Sequence, residues 1–324
     1  VAGNSATRAD TIIVDRQAPT GTVTIDGDAA VVSTSAPPLN LGWTDDGQVT
    51  HVCLRNVSGS PPAAGDACLR AVAPTITGFP LVAGDGTRSV FVYYMDAAGN
   101  VSAQFSDSVT VDTTIPIVNS VSTNAGAAWT TSTAVTLAIV ADGTGSTLTQ
   151  VCLGATNPPT ACQAYTASPA FTLPAGDGTK TVFVKVVDAS GISSAVASDT
   201  IGLDTAPPVF GSLAIAGGAA YVNANAVSVT LGATDLTSGV ATVAFSTNGT
   251  SFGTAIPYVD PASATLTTGS GTKTLWARVT DAAGLSTTAS DTIILDITPP
   301  TGSIVLNGGA ARTNSPATAS VGLT

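Results

Sequence analysis

Apolar and polar residues alternate along a segment that occurs three times, each copy opening on a glycine turn and closing at an aspartate. In Thr181-Val182-Phe183-Val184-Lys185-Val186-Val187, every second position is Val182, Val184 or Val186. Alternation of that kind predicts a strand that turns those three side chains into a core. Gly176-Asp177-Gly178-Thr179 before it predicts a tight turn, because glycine and aspartate take the backbone angles turns require. The same frame fits Gly84 to Gly99, with Val90, Val92 and Tyr94 inward, and Gly269 to Gly284, with Leu275, Ala277 and Val279 inward. The first glycines, Gly84, Gly176 and Gly269, stand 92 and 93 residues apart. A period that long, filled with strand patterns and turn residues, is one small β-domain per repeat.

Within the second repeat, strands are predicted at Ile117 to Ser122, Ala134 to Ala141, Thr149 to Leu153, Ala170 to Leu173, Lys180 to Val187 and Asp199 to Leu203. Several short strands separated by turn signals predict an antiparallel sandwich, so the chain reads as an all-β tandem array. Each repeat closes on a strand ending in aspartate, at Asp112, Asp204 and Asp296, and residues 9 to 15 hold a fourth copy of that closing piece. The expected organisation is therefore a closing strand of a preceding domain at 1–15 and complete repeats at 16–112, 113–204 and 205–296. The opening strands of a further domain follow at 297–324. On this frame the chain is an excerpt of a longer polypeptide.

Composition narrows the possibilities. All 21 acidic residues are aspartate, and lysine occurs only at Lys180, Lys185 and Lys273, so the usual builders of solvated helix faces are missing and no helix is expected. Charged residues make up 10% against 44% hydrophobic, leaving Ser, Thr, Ala and Gly to dominate the surface. A net charge of −11 and ten scattered basic residues argue against nucleic acid, which calls for a concentrated basic face. No apolar run approaches the length of a membrane-spanning helix.

The four cysteines form two local pairs at matching places. Cys53 and Cys68 flank Pro61-Pro62, and Cys152 and Cys162 flank Pro158-Pro159, which predicts one disulfide across a hairpin in each of the first two repeats. The third repeat carries Val243-Ala244-Phe245 in that place, so the bridge is optional to the scaffold. Metal binding by these thiols lacks a Cys-x-x-Cys pair or a histidine cluster. His51, two residues from Cys53 on one strand face, suggests a nucleophile pair, but the counterpart Cys152 has Gln150 there, which favours a structural disulfide. The Gly-Asp-Gly-Thr turns lack the helix and the Lys-Ser/Thr pair of a phosphate loop.

Taken together, Gly-Asp-Gly-Thr, a Val-rich strand, Asp96-Ala97-Ala98-Gly99-Asn100 and junctions such as Asp296-Ile297-Thr298-Pro299-Pro300 resemble the bacterial immunoglobulin-like repeats of very large secreted and surface proteins. The resemblance covers essentially the whole chain. It implies immunoglobulin-like sandwiches in an extended array, an extracellular or cell-surface location, and no catalytic residues. Two functions fit it: a structural, non-catalytic filament, sheath or stalk, or an adhesin whose repeats project a distal binding domain.

Immunoglobulin polarity would bring Asp85 and Asp112 of one repeat to the same junction as Asp142 and Asp188 of the next. Four carboxylates there would suit calcium, which takes oxygen ligands, although aspartate also serves turns by binding backbone N–H groups. No other cofactor is expected. On the outer face of the long strand an aromatic residue recurs, as Phe91, Phe183 and Trp276. Either a loop of its own repeat covers it, or it makes lateral contact with a like chain.

Overall fold

A computed structural model describes residues 12–309 together with Arg8, Asp10, Ala311, Arg312 and Val321–Leu323. The chain divides into two compact units. The first comprises Val1–Gly126, Ala134–Pro174 and Lys180–Thr200, and the second Ala127–Thr133, Ala175–Thr179 and Ile201–Thr324. Both are built of packed β-sheets whose longer strands pair antiparallel, and the described residues contain no α-helix, only single turns of 3₁₀-helix such as Ala216–Gly218.

In the first unit, Thr20–Ile25, Leu39–Thr44 and Thr75–Ile76 form one sheet, with Leu39–Thr44 in the middle. Opposite it lies a five-stranded sheet in the order Val31–Val32, Phe105–Val111, Gly86–Asp96, Val49–Arg55, Leu69–Ala71. The two enclose one core, in which Ile25 and Leu39 from the first sheet meet Val52, Val90 and Val92 from the second. Ile117–Thr123, Ala134–Asp142 and Ala170–Thr172 form a further three-stranded sheet. Leu148–Gly154 pairs with Ala161–Ala164 on one side and with Gly178–Asp188 on the other.

The second unit repeats the plan. Ala214–Ile215, Ala226–Thr230 and Ala262–Thr265 face a sheet ordered Tyr221–Val222, Ser286–Leu295, Gly271–Asp281, Val240–Ser246, Ile256–Pro257, and the core between them includes Ile215, Val229, Val243 and Ile293. Near the end of the chain Ile304–Leu306 pairs with Val321–Leu323. Of the closing strand expected at the start, residues 9 and 11 lie outside the described residues, and Ile12, Ile13 and Val14 are exposed and in no strand.

The inward faces read from the alternation are observed. Val182, Val184, Val186, Val90, Val92, Tyr94, Ala277 and Val279 are all 0% exposed and Leu275 is 1% exposed. Both glycines of each Gly-x-Gly turn before these strands have positive φ, at 92° and 111° for Gly84 and Gly86, 86° and 109° for Gly176 and Gly178, and 84° and 129° for Gly269 and Gly271. A Cβ is disfavoured in that region, which is why glycine recurs there.

A sheet change was not legible in the pattern. After the strands Thr20–Ile25, Ile117–Thr123 and Ala214–Ile215, three successive residues take positive φ: Asp26, Gly27 and Asp28, then Asn124, Ala125 and Gly126, then Ala216, Gly217 and Gly218. This left-handed turn moves the chain across, so that a two-residue strand pairs in parallel with the repeat's last strand, as Val31 with Thr110 and Tyr221 with Ile294. The crossing is anchored by an aspartate of that last strand. Asp107 Oδ2 accepts the N–H of Ile25 at 2.6 Å, Asp199 Oδ2 that of Thr123 at 2.6 Å, and Asp291 Oδ2 that of Ile215 at 2.9 Å.

Candidate functional site

Each aspartate at the end of a long strand, Asp96, Asp188 or Asp281, is almost fully buried and caps the turn that follows it. Oδ1 of Asp96 accepts the N–H of Asn100, Oδ1 of Asp188 accepts Ile192 N–H, and Oδ1 of Asp281 accepts Leu285 N–H, all at 2.8 to 2.9 Å. One carboxylate oxygen is thereby committed to the loop; the other is buried without a partner in Asp188 and Asp281 and accepts the Asn100 amide in Asp96. Among the described residues, two sets of three carboxylates gather at the junctions, with one oxygen of each residue within 4.8 Å of the others: Asp15, Asp45 and Asp96, and Asp204, Asp235 and Asp281.

In the second set, Asp204 Oδ1 accepts the N–H of Ala206 at 3.1 Å. Asp235 Oδ1 accepts three N–H groups of its own loop, from Thr237 at 3.1 Å and from Ser238 and Gly239 at 2.8 Å. Oδ2 of Asp204 and Oδ2 of Asp281 are buried without a hydrogen-bond partner. Burial pushes the Asp281 carboxyl above its ordinary range, and the neighbouring charges of Asp204 and Asp235 add to that, outweighing the N–H groups of Leu285 and Gly284. In the first set, burial would also raise Asp96, but the side chain and N–H of Asn100, with the N–H groups of Gly99 and Ala98, hold it below the ordinary range.

Of the four residues that the sequence suggested for calcium, Asp112 and Asp188 are buried and each leaves its Oδ2 without a partner. Burial of Asp112 is outweighed by the hydroxyl and N–H of Thr114, which hold its carboxyl low. Asp142 is exposed and caps Thr144 at 2.8 Å, and Asp85 binds the linker residue Thr113. Among the described residues these four do not make a set of three within 4.8 Å, whereas the corresponding positions in the other two junctions do. The signal for those was present in the repeat frame, since Asp15 and Asp204 match Asp112 as closing residues, and Asp96 and Asp281 match Asp188.

The outer face of the long strand is fastened differently in each repeat. Cys53 is bonded to Cys68 and Cys152 to Cys162, with Cα separations of 4.8 Å and 3.9 Å, and Cys152 sits directly across the ladder from Cys162. Beside the first bridge Tyr93 donates its hydroxyl to the carbonyl of Gly59, so Tyr93 and Met95, although outward by alternation, are buried under residues of their own repeat. The third repeat has the buried Ala244 in the cysteine position, and Arg278 lies over the ring of Phe252 at 4.5 Å. Phe91, Phe183 and Trp276 are half-buried, and the Trp276 indole packs against Gly249. His51 Nδ1 lies 2.9 Å from Thr50 Oγ1, and the neighbouring Cys53 sulfur is held in its disulfide.

No family model matches the chain, and no curated protein matches it. Similar solved structures include the fibronectin(III)-like modules of CbhA from Clostridium thermocellum, at 16% identity and a TM-score of 0.37, covering 56% of this chain and 94% of that one. The FN1–FN3 domains of chicken CNTN1 match at 10% identity and a TM-score of 0.30, covering 86% and 99%. The D00–D0 domain of intimin matches at 12% identity and a TM-score of 0.25, covering 57% and 100%.

Proposed function

We propose that this chain is a structural, non-catalytic extracellular protein that builds a filament, sheath or stalk from repeats bounded at 16–112, 113–204 and 205–296. The observation that carries this reading is a fastening found at the three linkers that follow Asp112, Asp204 and Asp296. Asp85 Oδ1 accepts the N–H of Thr113 at 2.9 Å and its hydroxyl at 2.8 Å, and Asp177 Oδ1 accepts the same two groups of Thr205 at 3.0 Å and 2.9 Å. In the third place Ser270 Oγ accepts the N–H of Ile297 at 3.1 Å and pairs with the hydroxyl of Thr298 at 3.1 Å. A linker bonded back onto the repeat before it loses conformational freedom, which serves a chain whose task is mechanical.

Two disulfides suit an oxidising compartment outside the cytoplasm, and no helix among the described residues is long and apolar enough to cross a membrane. The partner in this reading is a like chain. A chain with only 10% charged residues offers few charges to repel its copies, and small apolar contacts at Phe91, Phe183 and Trp276 would multiply along a repeating chain. Electron microscopy of the native assembly, beside a Phe91→Ser, Phe183→Ser, Trp276→Ser variant, tests this. Bundles in the native material that separate into single chains in the variant, with its circular dichroism spectrum intact, are the expected result. Bundles that persist unchanged would remove the aromatics from the contact, and a distal ligand-binding domain with no assembly at all would favour the adhesin reading.

A further inference from the structure

Asp204, Asp235 and Asp281 present three carboxylates to one another with an oxygen of each within 4.8 Å of the others. Like charges that close repel, and desolvation makes the repulsion worse. An acidic cluster on a wet surface would relieve this with water, but Asp204 is 0% and Asp281 3% exposed. Their Oδ2 atoms are the decisive detail. Both are buried in the cluster with no donor of any kind, although a buried polar atom in a folded protein is nearly always paired. No basic side chain donates to either atom.

In the first repeat the aspartate that corresponds to Asp281, Asp96, is satisfied by protein alone, while Asp45 Oδ1 of that set is buried without a partner. There Asn100 follows Asp96 by four residues, and its amide Nδ2 donates to Asp96 Oδ2 at 2.8 Å and to the Asp15 carbonyl at 3.3 Å. In the third repeat that position is Leu285, whose side chain donates nothing. What the junction lacks is a positive centre at the place of that amide.

We propose that Asp204, Asp235 and Asp281 form a binding site for a divalent cation of the calcium class. The donors are all hard oxygens, with no cysteine or histidine in the set, which favours calcium, magnesium or manganese over zinc or copper. Carboxylates whose Oδ1 atoms are held by their own turns give a fixed, irregular set of oxygens, and calcium tolerates irregular coordination where magnesium demands an octahedron. The ion ties the segment after Leu203 to the loops that begin at Asp235 and Asp281. The inference stands independently of the filament reading.

Calorimetric titration of the full chain with calcium chloride after dialysis against chelator, with magnesium chloride in parallel, tests it. Binding at about 0.1–1 mM, the range of extracellular calcium modules, is expected, with magnesium weaker. Asp281→Asn removes one charge from the set, and Leu285→Asn supplies the amide found at Asn100. Each variant is expected to lose one calcium equivalent or to weaken that equivalent at least about tenfold, and calcium is expected to raise the unfolding midpoint of the wild type by about 5 °C but not that of the variants. If Asp281→Asn does not fold, Leu285→Asn decides alone. No uptake by the wild type up to about 10 mM, well above that range, overturns the proposal. Equal calcium binding by wild type and variants overturns it too.

Discussion

The side-chain amide of Asn100 donates to Oδ2 of Asp96 at 2.8 Å. Burial raises the Asp96 carboxyl, but that bond, with the N–H groups of Asn100, Gly99 and Ala98, holds it below its ordinary range, while Asp281, with Leu285 in the corresponding place, is pushed above it by burial and by Asp204 and Asp235. Asn100→Leu is therefore expected to destabilise the first repeat by about 1–3 kcal/mol, the usual cost of leaving a buried acceptor unpaired. Urea denaturation of the variant in the presence of chelator measures this, and an unchanged midpoint would mean that water reaches Asp96 Oδ2.

The anchor between Asp291 and the N–H of Ile215 has counterparts at Asp107 and Asp199, so it belongs to the fold and not to any one junction. Asp291→Ala removes the charged acceptor at the left-handed turn where the chain changes sheets. A loss of about 1.5–3 kcal/mol is expected, as for hydrogen bonds to charged groups. Hydrogen exchange of the Ile215 amide, rising sharply in the variant, would place the loss at that bond.

Reduction should act unequally on the three repeats. Closing loops with sequence separations of 15 and 10 residues contributes about 3 kcal/mol each on the chain-entropy model. Under a reductant the first two repeats are expected to unfold at lower denaturant, whereas the third, held by Arg278 over Phe252, keeps its midpoint. Peptide mapping without reduction should recover Cys53 with Cys68 and Cys152 with Cys162.

Tyr94 introduces an alkaline limit. Its ring is fully buried, its hydroxyl donates to the Thr22 carbonyl at 2.6 Å, and burial pushes the phenol up to about 12. The unfolded phenol ionises near pH 10, so the folded state holds the proton longer. The Tyr94 contribution is whole below about pH 10 and is lost as pH rises through about 12. Tyr94→Phe forfeits the bond to Thr22 but also the titration, so the stability gap between wild type and variant is expected to narrow over that window. A constant gap from pH 9 to pH 12 in denaturation experiments would show that another group sets the alkaline limit.

Alternation alone located the long strands and their inward faces, because a side chain's direction in a strand is settled by its own position in a two-residue period. The Gly-x-Gly turns were legible for a similar reason: positive φ is a local demand, and glycine meets it locally. Cysteine spacing likewise pointed to the pairs that are bonded, since a hairpin brings near neighbours together.

What the sequence left undecided depends on groups far apart in the chain. The two-residue strands Val31–Val32 and Tyr221–Val222 carry too short a pattern to be read, and they exist because a left-handed turn delivers them to the repeat's last strand. Twenty-one aspartates look alike in a list. Folding divides them into those that cap turns, such as Asp142, those that hold linkers or sheet crossings, such as Asp85 and Asp107, and those whose second oxygen is buried facing other carboxylates, such as Asp204 and Asp281. Local pattern determines where strands run and which way they face. Only tertiary packing decides which polar atoms are cut off from water, because burial is a property of everything that surrounds an atom and not of its neighbours in sequence.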